Sequence, residues 1–202
     1  METRATIERL GHQGDGIAPG PLFAPRALPG EEVIGTAEGD RLTDMRIVTP
    51  SPKRVQPPCR HYKSCGGCQL QHACDDFVAG WKQEFVRTAL RAQGIEAEFR
   101  PIHTSPTRSR RRATLAVRRT KKGALAGFHG RASGAITAIP DCHLLDPVLL
   151  TGLPVAEALA CLGASRKAEL SVTLTTSMGG LDVVAAGGKP LDAALQLALA
   201  QL

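Results

Sequence analysis

Four of the chain's six cysteines fall within sixteen positions, in the stretch CRHYKSCGGCQLQHAC from Cys59 to Cys74. Cys59, Cys65 and Cys68 stand at C-x5-C-x2-C spacing, with Gly66 and Gly67 between the last two. Thiolates are soft ligands suited to zinc, copper(I) or iron–sulfur clusters, and a tight turn lets a short segment aim several at one centre. The paired glycines permit positive φ and close backbone approach, which leaves their N–H groups free to bond sulfur. Three chemistries stay open on spacing alone. A structural zinc site usually carries two CxxC or CxxC/HxxxH pairs, and only one pair is present. A disulfide knot needs an oxidising compartment. A cluster held by three grouped cysteines and one remote cysteine follows the general ferredoxin arrangement.

The redox compartment bears on that choice. The N-terminal METRATIERLGHQGDG has no apolar stretch of the kind found in a secretory leader, and no run of about 18 apolar residues suits a membrane span. The six cysteines are therefore expected in a reducing cytoplasm, as ligands more than as disulfides. Charge points to a partner. The chain carries a net +6, yet residues 100–131 hold ten basic and no acidic side chains, so this segment supplies the whole positive excess. Such concentration marks a polyanion binder, against the plainer reading of a solvated basic face.

Along the chain, residues 1–52 read as short strands (ATIERL, PLFAP, EEVIGTAE, MRIVTP) broken by Gly and Pro turns, which suggests a small barrel whose length suits five OB-like strands, with an SH3-like or purely structural barrel equally open on composition. Residues 53–58, within the proline-rich SPKRVQPP, read as a linker, and 59–202 as a central domain. After the knuckle, Phe77, Trp81, Phe85 and Ala89 recur every four residues on a predicted helix, with Asp75 and Asp76 at its start and Gly94 past its end. The aromatics are expected in the core. Tyr62, Trp81 and Phe128 are the few candidate stacking platforms outside the barrel.

Residues 110–119, RRRATLAVRR, alternate: Ala113, Leu115 and Val117 share one face, and Arg110, Arg112, Thr114, Ala116 and Arg118 the other. Arginine forks bind phosphates at two points, so RNA contacts are expected through Arg108, Arg110, Arg111, Arg112, Arg118, Arg119, Lys121 and Lys122. A strand pair over ALAGFHG and GAITAIP follows. Cys142 then closes a strand pattern just before a helix opened by Asp146 and Pro147. Cys161 sits in an apolar helical run and is expected in the core. ELSVTLTT and LDVVAA form a hairpin, and LDAALQLALAQL a helix that runs to the end without a cap, as if the chain were a fragment.

Together, ALPGEEV, SPKRVQPPCRHYKSCGGCQLQH, SRRRATLAV and GFHGRASGAITAIPDCHLLDP resemble the iron–sulfur-containing, S-adenosylmethionine-dependent RNA uridine-5 methyltransferases. The resemblance covers nearly the whole chain. It implies an α+β fold: an N-terminal OB-like barrel (the TRAM domain), then an α/β central domain carrying a 4Fe–4S cluster. It also implies structured rRNA or tRNA as partner, and no membrane. Matched residue by residue, the cluster ligands are Cys59, Cys65, Cys68 and Cys142. Cys74 stands outside that pattern, although its spacing from Cys68 repeats that of Cys65 from Cys59.

Members of the family also carry a Rossmann-like domain that binds S-adenosylmethionine, a nucleophilic cysteine and a base. None of these is found here, so the chain alone is expected to be catalytically silent, with its cluster architectural more than redox-active. Two readings compete: a non-enzymatic iron–sulfur or zinc RNA-binding protein, and a ferredoxin-like electron carrier.

Overall fold

The computed structural model describes residues 2–202, a mixed α+β chain built mostly of sheet. Its contacts divide it into two compact units, one of Met1–Pro58 with Cys68–Thr104, the other of Cys59–Gly67 with Ser105–Leu202. This differs from the expected division into 1–52, 53–58 and 59–202. Packing explains the difference. Leu10, Leu28 and Ala73 form one buried cluster with Leu70, Phe77, Val78 and Trp81 against it, which returns the chain after Gly67 to the first unit. The expected linker is held there too, since Arg54 forms a β-bridge with Ala73.

Six strands build the first unit, where five were expected: β1 (Glu2–Thr6), β2 (Arg9–Leu10), β3 (Gly16–Ala18), β4 (Leu22–Ala24), β5 (Glu32–Glu38) and β6 (Arg41–Thr49). Their order in one mixed sheet is β1-β5-β6-β4-β3-β2, in keeping with an OB-like unit. Register shifts between β5 and β6 at Glu32/Val33 and Ile34/Thr36 interrupt the ladder, as bulges do when they bend a strand. Ile7, Ala18, Ala24, Ala27, Val33 and Leu42 fill the space inside. Beside them lies a buried charge. Glu31 is 0% exposed and accepts hydrogen bonds from the backbone N–H groups of Leu28 (2.8 Å) and Ser51 (3.0 Å) as well as from Arg54.

The predicted helix is α1 (Asp75–Arg91), with Cys74 as N-cap residue and Gly94 at φ +70 past its end. Its aromatic stripe is the expected core element only in part: Phe77 and Trp81 pack against the buried Leu10, Leu28 and Ala73, and Phe85 does not. No residue of α1 is buried, and Phe85 is 52% exposed. The stripe borders an open groove of about 880 Å³ whose lining includes Leu10, Pro29, Phe77, Trp81 and Phe85.

In the second unit, β7 (Arg112–Arg119), β8 (Ala124–His129), β9 (Ile136–Ala138), β10 (Glu169–Ser177) and β11 (Gly180–Ala186) form an antiparallel sheet of order β11-β10-β7-β8-β9. Helices α2 (Pro147–Thr151) and α3 (Leu153–Gly163) cover one face, packing on β7, β8 and β10. The period-two reading of β7 holds: Ala113, Leu115 and Val117 are buried beneath the helices, with Leu170, Val172 and Leu174 of β10 beside them. Asp146 caps α2 by accepting from the Val148 N–H (2.9 Å), with Pro147 in the first turn. Cys161, expected in the core, is half-buried on α3. The final helix, α4 (Ala193–Leu199), is capped at its start by Asp192 and stops at Leu199 instead of running to the end.

Candidate metal centre and nucleic-acid surface

The knuckle's first half is folded by its own backbone. Cys65 N–H donates to the His61 carbonyl (2.7 Å) and Tyr62 N–H to the Cys59 carbonyl (3.1 Å), so the five residues between the two thiols coil tightly. Tyr62 is buried at 4% exposure, which removes it as a stacking platform. The coil is stapled to the end of β8: Gly66 N–H donates to the His129 carbonyl (2.8 Å), and Cys65 forms a β-bridge with Gly130. The glycines are sterically required here. A Cβ on Gly66 would sit 2.8 Å from the His129 oxygen, and one on Gly67 would sit 3.0 Å from the Phe128 ring.

Three of the four ligands implied by the resemblance lie in this unit as neighbours. Burial pushes the Cys65 thiol up; the Gly67 N–H, donating to Cys65 Sγ at 3.4 Å, opposes this, and nearby Cys142 and Cys59 raise it further. Cys142 is buried and Cys65 packs against the same hydrophobic cluster. Cys68 follows Gly67 directly in the chain and is half-buried. The backbone N–H of Cys74 donates to the Lys53 carbonyl (2.9 Å) where α1 begins. None of the six cysteines is joined in a disulfide among the described residues. Among the described residues no three His, Cys, Asp or Glu side chains close into a metal-ligating group. The donor set still fits a thiolate-ligated group: soft sulfurs from a tight coil and a remote loop, one already receiving a backbone N–H bond.

Sequence reasoning overlooked two further groups. The Asp141 carboxylate, next to Cys142, accepts from His61 Nε2 (2.7 Å) and lies 3.0 Å from Arg60 Nε. The His61 bond, helped by Arg60, holds Asp141 below the ordinary carboxylate range despite some desolvation. The only sequence signal for this was position: His61 follows Cys59 by two, and Asp141 immediately precedes Cys142. The second group is on the sheet. Arg118 Nη2 and His129 Nε2 lie 2.8 and 2.9 Å from the Glu169 carboxylate. Burial raises that carboxyl, but the His129 and Arg118 contacts outweigh it and hold it low.

The basic residues emerge beside the remote cysteine. Arg108 N–H donates to the His143 carbonyl (2.9 Å), Arg110 N–H to the Leu144 carbonyl (3.1 Å), and Asp146 N–H to the Arg110 carbonyl (3.0 Å). Arg108, at φ +57, begins this lacing, and Arg112 opens β7 two residues after Arg110. Arg108, Arg110, Arg111, Arg112, Arg118, Lys121 and Lys122 are exposed, and Arg119 is half-buried. Of the eight, Arg118 makes the one side-chain ion pair found among the described residues; Lys121 and Lys122 sit on the turn closed by Thr120 N–H to the Gly123 carbonyl (2.8 Å).

No family model matches the chain. It is 40% identical to an uncharacterized RNA methyltransferase of Caulobacter vibrioides, over 96% of this chain and 50% of that protein. It is 36% identical to an uncharacterized RNA methyltransferase of Brucella suis, over 98% of this chain and 48% of that protein. A Vibrio cholerae protein named 23S rRNA (uracil(1939)-C(5))-methyltransferase RlmD is 37% identical over 76% of this chain and 38% of its own length. The chain thus spans about half the length, or less, of the curated relatives it matches.

Proposed function

Because the chain belongs to the RNA methyltransferase family of these relatives, we propose that it is the RNA-holding portion of a uracil-C5 RNA methyltransferase. The observation that carries this is the lacing of Arg108 and Arg110 to the segment around Cys142, which joins the basic surface to the thiol site. Structured RNA, rRNA or tRNA, lies along the exposed arginines. Their forks take phosphates at two points, and Arg118 is shared with Glu169.

Cys59, Cys65, Cys68 and Cys142 hold a 4Fe–4S cluster, which supplies an inorganic clip and not a reacting centre. Closing the loop between the knuckle and Cys142 this way stabilises the segment on which the arginines depend. The setting is a reducing cytoplasm, where the thiols stay available to metal. Methyl transfer from S-adenosylmethionine is the work of the whole enzyme.

The test is a filter-binding series with a structured rRNA fragment at several salt concentrations, using anaerobically purified chain of known iron content. Affinity should fall steeply as salt rises, with a log–log slope of roughly −0.7 to −0.9 per phosphate contacted. Absence of RNA binding, or a flat salt response, would overturn the reading.

A further inference from the structure

The two segments that carry the thiols of the second unit are held by backbone hydrogen bonds to third parties. The knuckle is fixed to His129 and Gly130, and the Cys142 segment to Arg108 and Arg110. What runs directly from one segment to the other is a set of side chains: Arg60 and His61, just after Cys59, converge on Asp141, just before Cys142, at 3.0 and 2.7 Å.

We infer that Arg60, His61 and Asp141 form a positioning clamp that brings Cys142 up to Cys59 and Cys65 before any metal arrives, and that slows loss of the metal afterwards. The inference rests on the thiol site proposed above but concerns residues that ligate nothing. Two physical reasons carry it. The thiols must converge from two segments that no backbone hydrogen bond among the described residues joins directly, so assembly benefits from contacts that hold the segments together while the site is empty. The Asp141 carboxylate stands next to Cys142 in the chain, and Arg60 and His61 sit against it from the knuckle side. The clamp is partly exposed, with side-chain exposures of 68% for Arg60, 18% for His61 and 47% for Asp141, so it acts with modest strength and is weakened by salt.

Two measurements on the full chain test this. In metal-free protein, a short bifunctional thiol reagent such as dibromobimane is applied, and links from Cys142 to Cys59 or Cys65 are counted by peptide mass spectrometry. Asp141→Ala and His61→Ala should each lower the yield by roughly two- to fivefold, the scale of a half-exposed pair. The double variant should lose little more than either single one, because the two residues form one contact. Asp141→Glu should recover part of the yield, and about 1 M salt should bring the wild type toward the variants.

In iron-loaded protein, the same substitutions should speed iron release to a chelator by a similar factor. Asp141→Asn, a surface change that keeps the side chain's shape, covers the case in which the alanine variants fold poorly. Unchanged link yields, or losses that simply add in the double variant, would overturn the clamp. A wild-type chain that takes up no iron overturns the cluster reading instead, and the cross-linking result still decides on the clamp.

Discussion

Arg54 Nε lies 2.5 Å from Oε1 of Glu31 and its Nη2 lies 2.8 Å from Oε2, a two-point pair joining residues 23 apart in the chain. The same guanidinium donates to the Arg26 carbonyl (2.7 Å). The segment after the last barrel strand is thereby fastened to the barrel by a fully buried carboxylate. Removing one partner of such a pair leaves a charge without compensation. Arg54→Ala should destabilise the chain by about 3 kcal/mol in urea unfolding. A loss below ~0.5 kcal/mol would mean that the two backbone donors suffice.

The same pair predicts a pH dependence. Burial pushes Glu31 up, but the bonds from Arg54, Ser51 and Leu28 outweigh it and hold the carboxyl below its ordinary value of 4.5. A lowered folded-state value contributes stability that is complete above the unfolded value and disappears as pH falls through the folded one. The melting temperature should therefore fall on acidification below about pH 4.5, and the fall should be shallower in Glu31→Gln. Parallel curves for the two proteins would remove Glu31 as the cause.

Cys142 and Cys74 compete on spacing, and the family resemblance places the ligand at Cys142. Cys142 lies beside Cys65, while Cys74 stands at the start of α1 with its N–H on Lys53. Cys142→Ser should purify anaerobically without the brown chromophore and with little iron, and Cys74→Ser should keep both. The opposite pattern of absorbance would exchange their roles.

Glycine geometry predicts a further effect. Gly127 is buried on β8, and a Cβ there would run into the carbonyl oxygen of Thr137 on β9. Gly127→Ala should push β9 away at a cost of about 1–3 kcal/mol, read from thermal unfolding. Gly66→Ala meets the His129 carbonyl at 2.8 Å and should instead show itself as faster iron loss, because it lifts the knuckle off β8.

Ion pairing divides the arginines. Arg112→Ala should reduce the salt slope of RNA binding by about 0.7–0.9, one phosphate contact. Arg118→Ala should change it less, because its guanidinium is held by Glu169 at 2.8 Å, and Glu169→Gln should raise affinity. Equal losses for Arg112→Ala and Arg118→Ala would show that the Glu169 pair yields freely to phosphate.

Local rules made part of the molecule readable from its residues. The strand period buried Ala113, Leu115 and Val117 and turned Arg112 and Arg118 outward, and Asp146 with Pro147 announced α2. These signals involve residues a few positions apart, where backbone geometry alone dictates the neighbours. The same holds for the knuckle, whose glycines and thiol spacing describe a tight coil before any partner is known.

Tertiary structure alone decided the rest, because it pairs side chains whose sequence separation carries no local mark. Glu31 meets Arg54, Arg118 meets Glu169 across 51 positions, and His61 meets Asp141 across 80. The α1 stripe shows the limit from the other side. Periodicity identified the face of Phe77, Trp81 and Phe85, but how much of it is covered depends on what the fold sets against it, and Phe85 is left half-exposed. Chain chemistry thus determined the elements and their faces; long-range packing decided which charges are paired and which apolar faces are hidden.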